Sequence, residues 1–196
     1  MPDTANKIKY GLKNVYYAKI TALTGDNVPT YGTPVAWPGA VNLSLSAEGE
    51  ATPFYADNME YWKGAGNNGY SGTLESALVP DSFKTDILGE IADAKSVYVE
   101  DANADTTYFA LLFQFEGDQK ATRHVMYKCS AARPNTEGST KEDSVSPQTE
   151  TVNITATPIH NVALDTDIVK ARTNESTDAT TYTGWFEDVY LPTKAS

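Results

Sequence analysis

Residues 107–131, TYFALLFQFEGDQKATRHVMYKCSA, decide the fold. In 107–116, Phe109, Leu111, Phe113 and Phe115 alternate with Tyr108, Ala110, Leu112 and Gln114. Such a period of two places successive side chains on opposite faces of a strand. Both faces are largely apolar, which predicts a strand covered on two sides, by a core and by either a helix or a neighbouring subunit. Glu116-Gly117-Asp118-Gln119 then supplies turn residues, and 123–131 resumes with Val125, Tyr127 and Cys129 opposite His124, Met126 and Lys128. The whole stretch reads as a long β-hairpin.

The same period recurs on either side. Segment 150–157 sets Val152, Ile154 and Ala156 against Thr151, Asn153, Thr155 and Thr157, a strand with one wet face. In 42–48, Leu43 and Leu45 alternate with Asn42, Ser44 and Ser46, and 14–21 is dense in β-formers. Shorter strands are expected at 71–79, 96–100, 166–172 and 182–187. A single helix is expected, opening at Pro80-Asp81-Ser82, with Phe83 and Ile87 four apart on one face and Gly89 placed just past its end. Three long irregular stretches remain, at 22–40, 49–70 and 133–148. The last is polar and predicts a solvated, mobile loop. By contrast, 49–70 carries Phe54, Tyr55, Met59, Tyr61, Trp62 and Tyr70, an apolar load that water will not tolerate uncovered, and another subunit is the natural cover.

Composition narrows the function. At 196 residues the chain is of one-domain size, and one domain over 1–196 is expected. Its 15 Lys and Arg stand against 26 Asp and Glu, a formal charge of −11, which opposes any grip on a phosphate backbone. Hydrophobic residues make up 40%, too many for a disordered chain. A lone Cys129 cannot make an internal disulfide, and no stretch approaches the ~20 apolar residues of a membrane span. These features point to a chain made in a reducing cytoplasm with no membrane partner.

Catalytic signatures are absent. His124 falls on an expected strand and His160 just past Pro158, neither beside a nucleophile, and no nucleophile elbow or zinc signature occurs. No catalytic residue, metal ligand or cofactor site is expected. Gly64-Ala65-Gly66-Asn67-Asn68-Gly69 spells a dinucleotide fingerprint but precedes a strand, so its glycines read as turn residues. Asp101-Ala102-Asn103-Ala104-Asp105 begins like a calcium loop, yet Thr106 replaces the turn glycine and Leu112 stands at the bidentate Glu position.

Several blocks, taken in order, resemble one family. They are KIKYGLKNVYYAKIT, TYGTPVAWPGAVNLSLSAEGE, FYADN, NNGYSGTLESALVPDSFKTDILG, YFALLFQFEGDQKATRHVMYKCSAARP and ITATP, spanning about residues 7 to 158. Together they look like the major tail protein, or tail-tube subunit, of long non-contractile-tailed phages of Gram-positive bacteria. The resemblance implies a mainly β fold, a β-sandwich or partial barrel with one short flanking helix and long loops. It also implies a structural virion protein whose hexameric rings stack into a tube that conducts DNA into the host. Tape-measure and tail-end proteins would be its other partners, and DNA would pass the lumen without specific binding.

On this reading Tyr55, Asp57, Asn58, Tyr61 and Trp62 are expected in contacts between rings or subunits, with Tyr31 and Trp37 of the 22–40 segment as a second group. Asn42, Ser44 and Ser46 are expected to face the lumen. The competing reading is a β-sandwich binding module, an adhesin or receptor-binding component whose loop aromatics engage carbohydrate.

Overall fold

The computed structural model describes residues 5–49, 52–64, 66–140 and 147–194. Its strands are β1 (Lys9–Leu23), β2 (Pro29–Tyr31), β3 (Val35–Ala36), β4 (Ala40–Glu48), β5 (Thr52–Ala56), β6 (Met59–Gly64) and β7 (Gly69–Ser76). After α1 (Asp81–Phe83), which widens into a π-type turn over Lys84–Leu88, come β8 (Ile91–Ala92), β9 (Tyr98–Val99), β10 (Phe109–Gly117) and β11 (Thr122–Ala131). The remainder is β12 (Glu150–Thr157), β13 (Ile159–Asn161), β14 (Thr166–Ile168), β15 (Lys170–Arg172) and α2 (Ala179–Thr183), which tightens into a 3₁₀ turn at Gly184–Phe186.

One antiparallel sheet organises the molecule, in the order β2-β1-β10-β11-β12-β7-β4, with β3 added to β1 and β15 to β11. The expected hairpin over 107–131 is β10 and β11, paired from Phe115↔Thr122 to Phe109↔Cys129. The sheet curls without closing, so that Leu43 and Leu45 of β4 pack into the same core as Val15 and Tyr17 of β1. This is the mainly β plan that the alternation predicts, in the sandwich-like form that the resemblance implies.

Strand β10 carries two cores. Phe109, Leu111 and Phe113 join the main cluster, while Ala110 and Leu112 join a second cluster on the opposite face. The main core is plugged by Phe83, Ile87 and Leu88, whose rings and branches reach Tyr17, Trp37 and Phe109. The second face is covered by Ile159, Trp185, Phe186 and Tyr190. The two-sided burial is therefore achieved within the chain, by a helix on one face and the C-terminal segment on the other.

The helix starts and stops where expected. Gly89 adopts a left-handed φ of 79° and its N–H closes on Lys84 O, a backbone geometry that favours glycine. A β-carbon there would also come within 2.8 Å of Ala104 Cβ.

Four expectations need correction. Segment 22–40 is not structureless, since it holds β2, β3 and the start of β4; Pro29–Tyr31 and Val35–Ala36 are strands too short for a visible period. Segment 49–70 is largely a β-hairpin, β5–β6. The strand expected at 182–187 is instead helical over 182–186, because Asp178 caps the turn by accepting from Thr181 N at 3.0 Å and the local bonding wins over the β-preference of Tyr182, Trp185 and Phe186. Finally, Cys129 does not share a face with Val125 and Tyr127. A bulge between the pairs Phe109↔Cys129 and Leu111↔Met126 inserts one extra residue in β11 and turns Cys129 into the main core beside Met126. The loop expected at 133–148 has no strand or helix over 133–140, and 141–146 lie outside the described residues.

Candidate functional site: an uncovered hairpin and a polar sheet face

The β5–β6 hairpin is built around Asp57 and Asn58, which have φ of 53° and 61°. Two consecutive left-handed residues make the turn that matches strand twist, and Asp and Asn tolerate it better than other side chains with a β-carbon. Beyond the turn, Phe54 pairs across to Trp62 and Tyr55 to Glu60, with a bulge between the two pairs. Phe54, Tyr55, Met59, Tyr61 and Trp62 are between 59% and 73% exposed. Among the described residues, strands β5 and β6 pair only with each other. A lone two-stranded ribbon is marginal in water, and one with five large apolar side chains in solvent invites a partner.

The residues expected beside it divide. Tyr55, Asp57, Asn58, Tyr61 and Trp62 are all on this hairpin and all exposed. Trp37 is 1% exposed and packs its ring 4.4 Å from that of Phe83, so its area is used within its own subunit's core. Tyr31 is half-buried against the second cluster, and its hydroxyl donates to Tyr127 O at 2.9 Å. Burial pushes that hydroxyl's pKa far up, which keeps it a neutral donor.

Asn42, Ser44 and Ser46 lie exposed along one face of β4, the edge strand of the sheet. Register extends that face across three strands. Ser44 stands opposite Thr73 and Ser46 opposite Ser71, while β12 places Asn153 against Thr73 and Thr155 against Ser71. The result is a field of hydroxyls and amides on the side away from Leu74, Val152 and Ile154, which are buried. Its charges near β4 are carboxylates: Glu48 accepts from Ser71 Oγ, and Glu75 from Thr149 Oγ1 at 2.7 Å. Lys128, on β11 opposite Thr157, has its ammonium tied to Asn27 Oδ1 at 2.7 Å.

The alternation of single strands shows each polar stripe, but only their pairing shows that the stripes merge. A second apolar patch escaped sequence reading, the small β8–β9 hairpin with Ile91, Val97, Tyr98 and Val99 exposed. Its strands are two residues long, too short to carry a period.

The titratable groups offer little to chemistry. Burial raises the Cys129 thiol to about 12, so it is an inert core group. His124 is lowered to about 4, by burial first and then by Arg172, Lys170 and Lys9, and its ring lies flat on Phe113 at 5.0 Å between centroids. Among the described residues no group of three or more His, Cys, Asp or Glu is arranged to hold a metal ion, and no helix is long and apolar enough to cross a membrane.

Comparison with known proteins agrees with this architecture. The family model described as phage tail tube protein matches residues 3–191, so the match runs through the C-terminal segment beyond the blocks quoted above. No curated protein and no solved structure matches the chain.

Proposed function

The chain belongs to the phage tail tube protein family, structural components of the virion tail that assemble into a multi-subunit tube, and from that membership we propose that its copies form hexameric rings stacked into a conduit for DNA. The observation that carries the reading is the β5–β6 hairpin, whose aromatic side chains stand exposed among the described residues. Tyr55, Asp57, Asn58, Tyr61 and Trp62 make the contacts between subunits or rings, where buried aromatics are the usual anchors. Tape-measure and tail-end proteins meet the two ends of the tube.

The polar face of β4, β7 and β12 lines the lumen, with Asn42, Ser44 and Ser46 among its residues. Its hydroxyls and amides offer passing phosphates only neutral hydrogen bonds, without counterion release, and its carboxylates repel them. A basic wall would release counterions and retain DNA, with affinity rising steeply with each contact. An uncharged to acidic wall lets it slide.

Electron microscopy of the purified chain at high concentration tests the proposal. Rings or tubes with a central channel are expected. A chain that stays monomeric and binds glycans would overturn it in favour of the adhesin reading.

A further inference from the structure

Three cations gather at one end of the sheet around a groove. Leu43, Leu45 and Tyr70 form one wall, and Phe115 and His124 the other. Lys9 Nζ stands 4.7 Å from the centre of the Phe115 ring, and Lys170 Nζ 4.3 Å from that of Tyr70. Arg172 lines the adjoining cleft with Lys9, Phe115 and His124. Among the described residues none of the three has a carboxylate within 4 Å. Glu175 feels Arg172 and Lys120, but its Oε1 is engaged by Asn6 N at 3.0 Å. In a chain with 26 acidic residues against 15 basic ones, this is a local reversal of charge over an apolar floor.

The same chain presents the complement. The β5–β6 hairpin carries Phe54, Tyr55, Tyr61 and Trp62 in solvent, together with the exposed carboxylates of Asp57 and Glu60. Neither carboxylate has an ion pair among the described residues. None of the hairpin's residues lines the groove of its own chain.

We propose that the groove flanked by Lys9, Lys170 and Arg172 is the receptor for the β5–β6 hairpin of a second copy of this chain. The hairpin's aromatics cover the apolar floor, and Asp57 and Glu60 reach the uncompensated cations. Donor and acceptor are different patches on one molecule, so the contact is head-to-tail and repeats from copy to copy. The inference rests on the tube reading above, and it supplies the acceptor that reading leaves open.

Charge reversal tests it in the full chain. One variant carries Lys9→Glu, Lys170→Glu and Arg172→Glu; the other carries Asp57→Lys and Glu60→Lys. All five positions are exposed, and unchanged circular dichroism and melting of the unassembled protein confirm that each variant folds. Each alone is expected to raise the concentration at which assemblies appear by about tenfold or more, the scale of lost charge pairs across an interface. Mixing the two variants, or combining all five substitutions in one chain, is expected to restore assembly, since acidic hairpin again meets basic groove or the reverse.

Parent protein that forms no rings or tubes defeats the tube reading. If the parent assembles and the groove variant assembles equally well, the groove is not the receptor, while the tube reading stands. Loss in both variants without restoration by mixing also overturns the pairing.

Discussion

Phe83 meets three other aromatic rings. It lies 5.1 Å from Tyr17, 4.4 Å from Trp37 and 5.1 Å from Phe109, centroid to centroid, and is itself buried. Removing the ring leaves a cavity among rigid neighbours that cannot collapse into it, and Phe83→Ala is expected to cost about 3–5 kcal/mol. Urea unfolding should show a lower midpoint at unchanged slope; an unchanged midpoint would mean that the helix does not plug the core. His124 makes a prediction of a different kind. Its ring is neutral in both states above its ordinary value of 6.5. Below that the unfolded chain takes up a proton that the folded chain refuses until about 4, so stability falls as pH falls through this window. The loss is on the order of 2 kcal/mol near pH 4.5. His124→Gln should flatten that part of the dependence, measured as the shift in urea midpoint between about pH 7 and 4.5. An equal shift in parent and variant would assign the acid loss to carboxylates alone.

Among the elements, the β5–β6 hairpin stands apart from the main sheet. Its strands pair with no other strand among the described residues, and its root is already held by Asn68 N donating to Glu48 O at 2.9 Å beside the Glu48↔Gly69 pair. Deleting 53–62 is therefore expected to leave a folded subunit with its melting temperature nearly intact, yet unable to form long tubes. Tubes of normal length in negative-stain images would remove the hairpin from the assembly contact. How far each element was legible follows from its length and period. Strands β10 and β12 are eight or nine residues long and alternate throughout, so Phe109, Leu111, Val152 and Ile154 declared their faces. The β11 bulge was hidden, because an inserted residue is a tertiary choice that the run HVMYKC does not mark. In β5–β6 the aromatics declared a need for cover, but the turn at Asp57-Asn58 has no glycine to announce a hairpin. The polar face was half legible: Asn42, Ser44 and Ser46 alternate in the sequence, while their union with Thr73 and Asn153 depends on register between strands far apart in the chain.

At the scale of the whole molecule, a chain of charge −11 keeps its carboxylates broadly distributed and its polar sheet face free of exposed cations near β4. Ser44→Lys, Thr73→Lys and Asn153→Lys together place three ammonium groups side by side on that face. Tails should still assemble, since the face takes no part in either core, but DNA delivery should slow and phage titre fall. Equal infectivity with the basic lining would show that this face does not meet DNA.

The outer face of β10 and β11 joins distant stretches of the chain. Ala18, Ala110, Leu112, Val125 and Tyr127 share their cluster with Ile159, Trp185, Phe186 and Tyr190, so part of their cover comes from far along the chain. Without 185–190 an apolar stripe on β10 and β11 loses part of its cover. Docking of 185–190 is therefore part of what keeps this face of the sheet out of water.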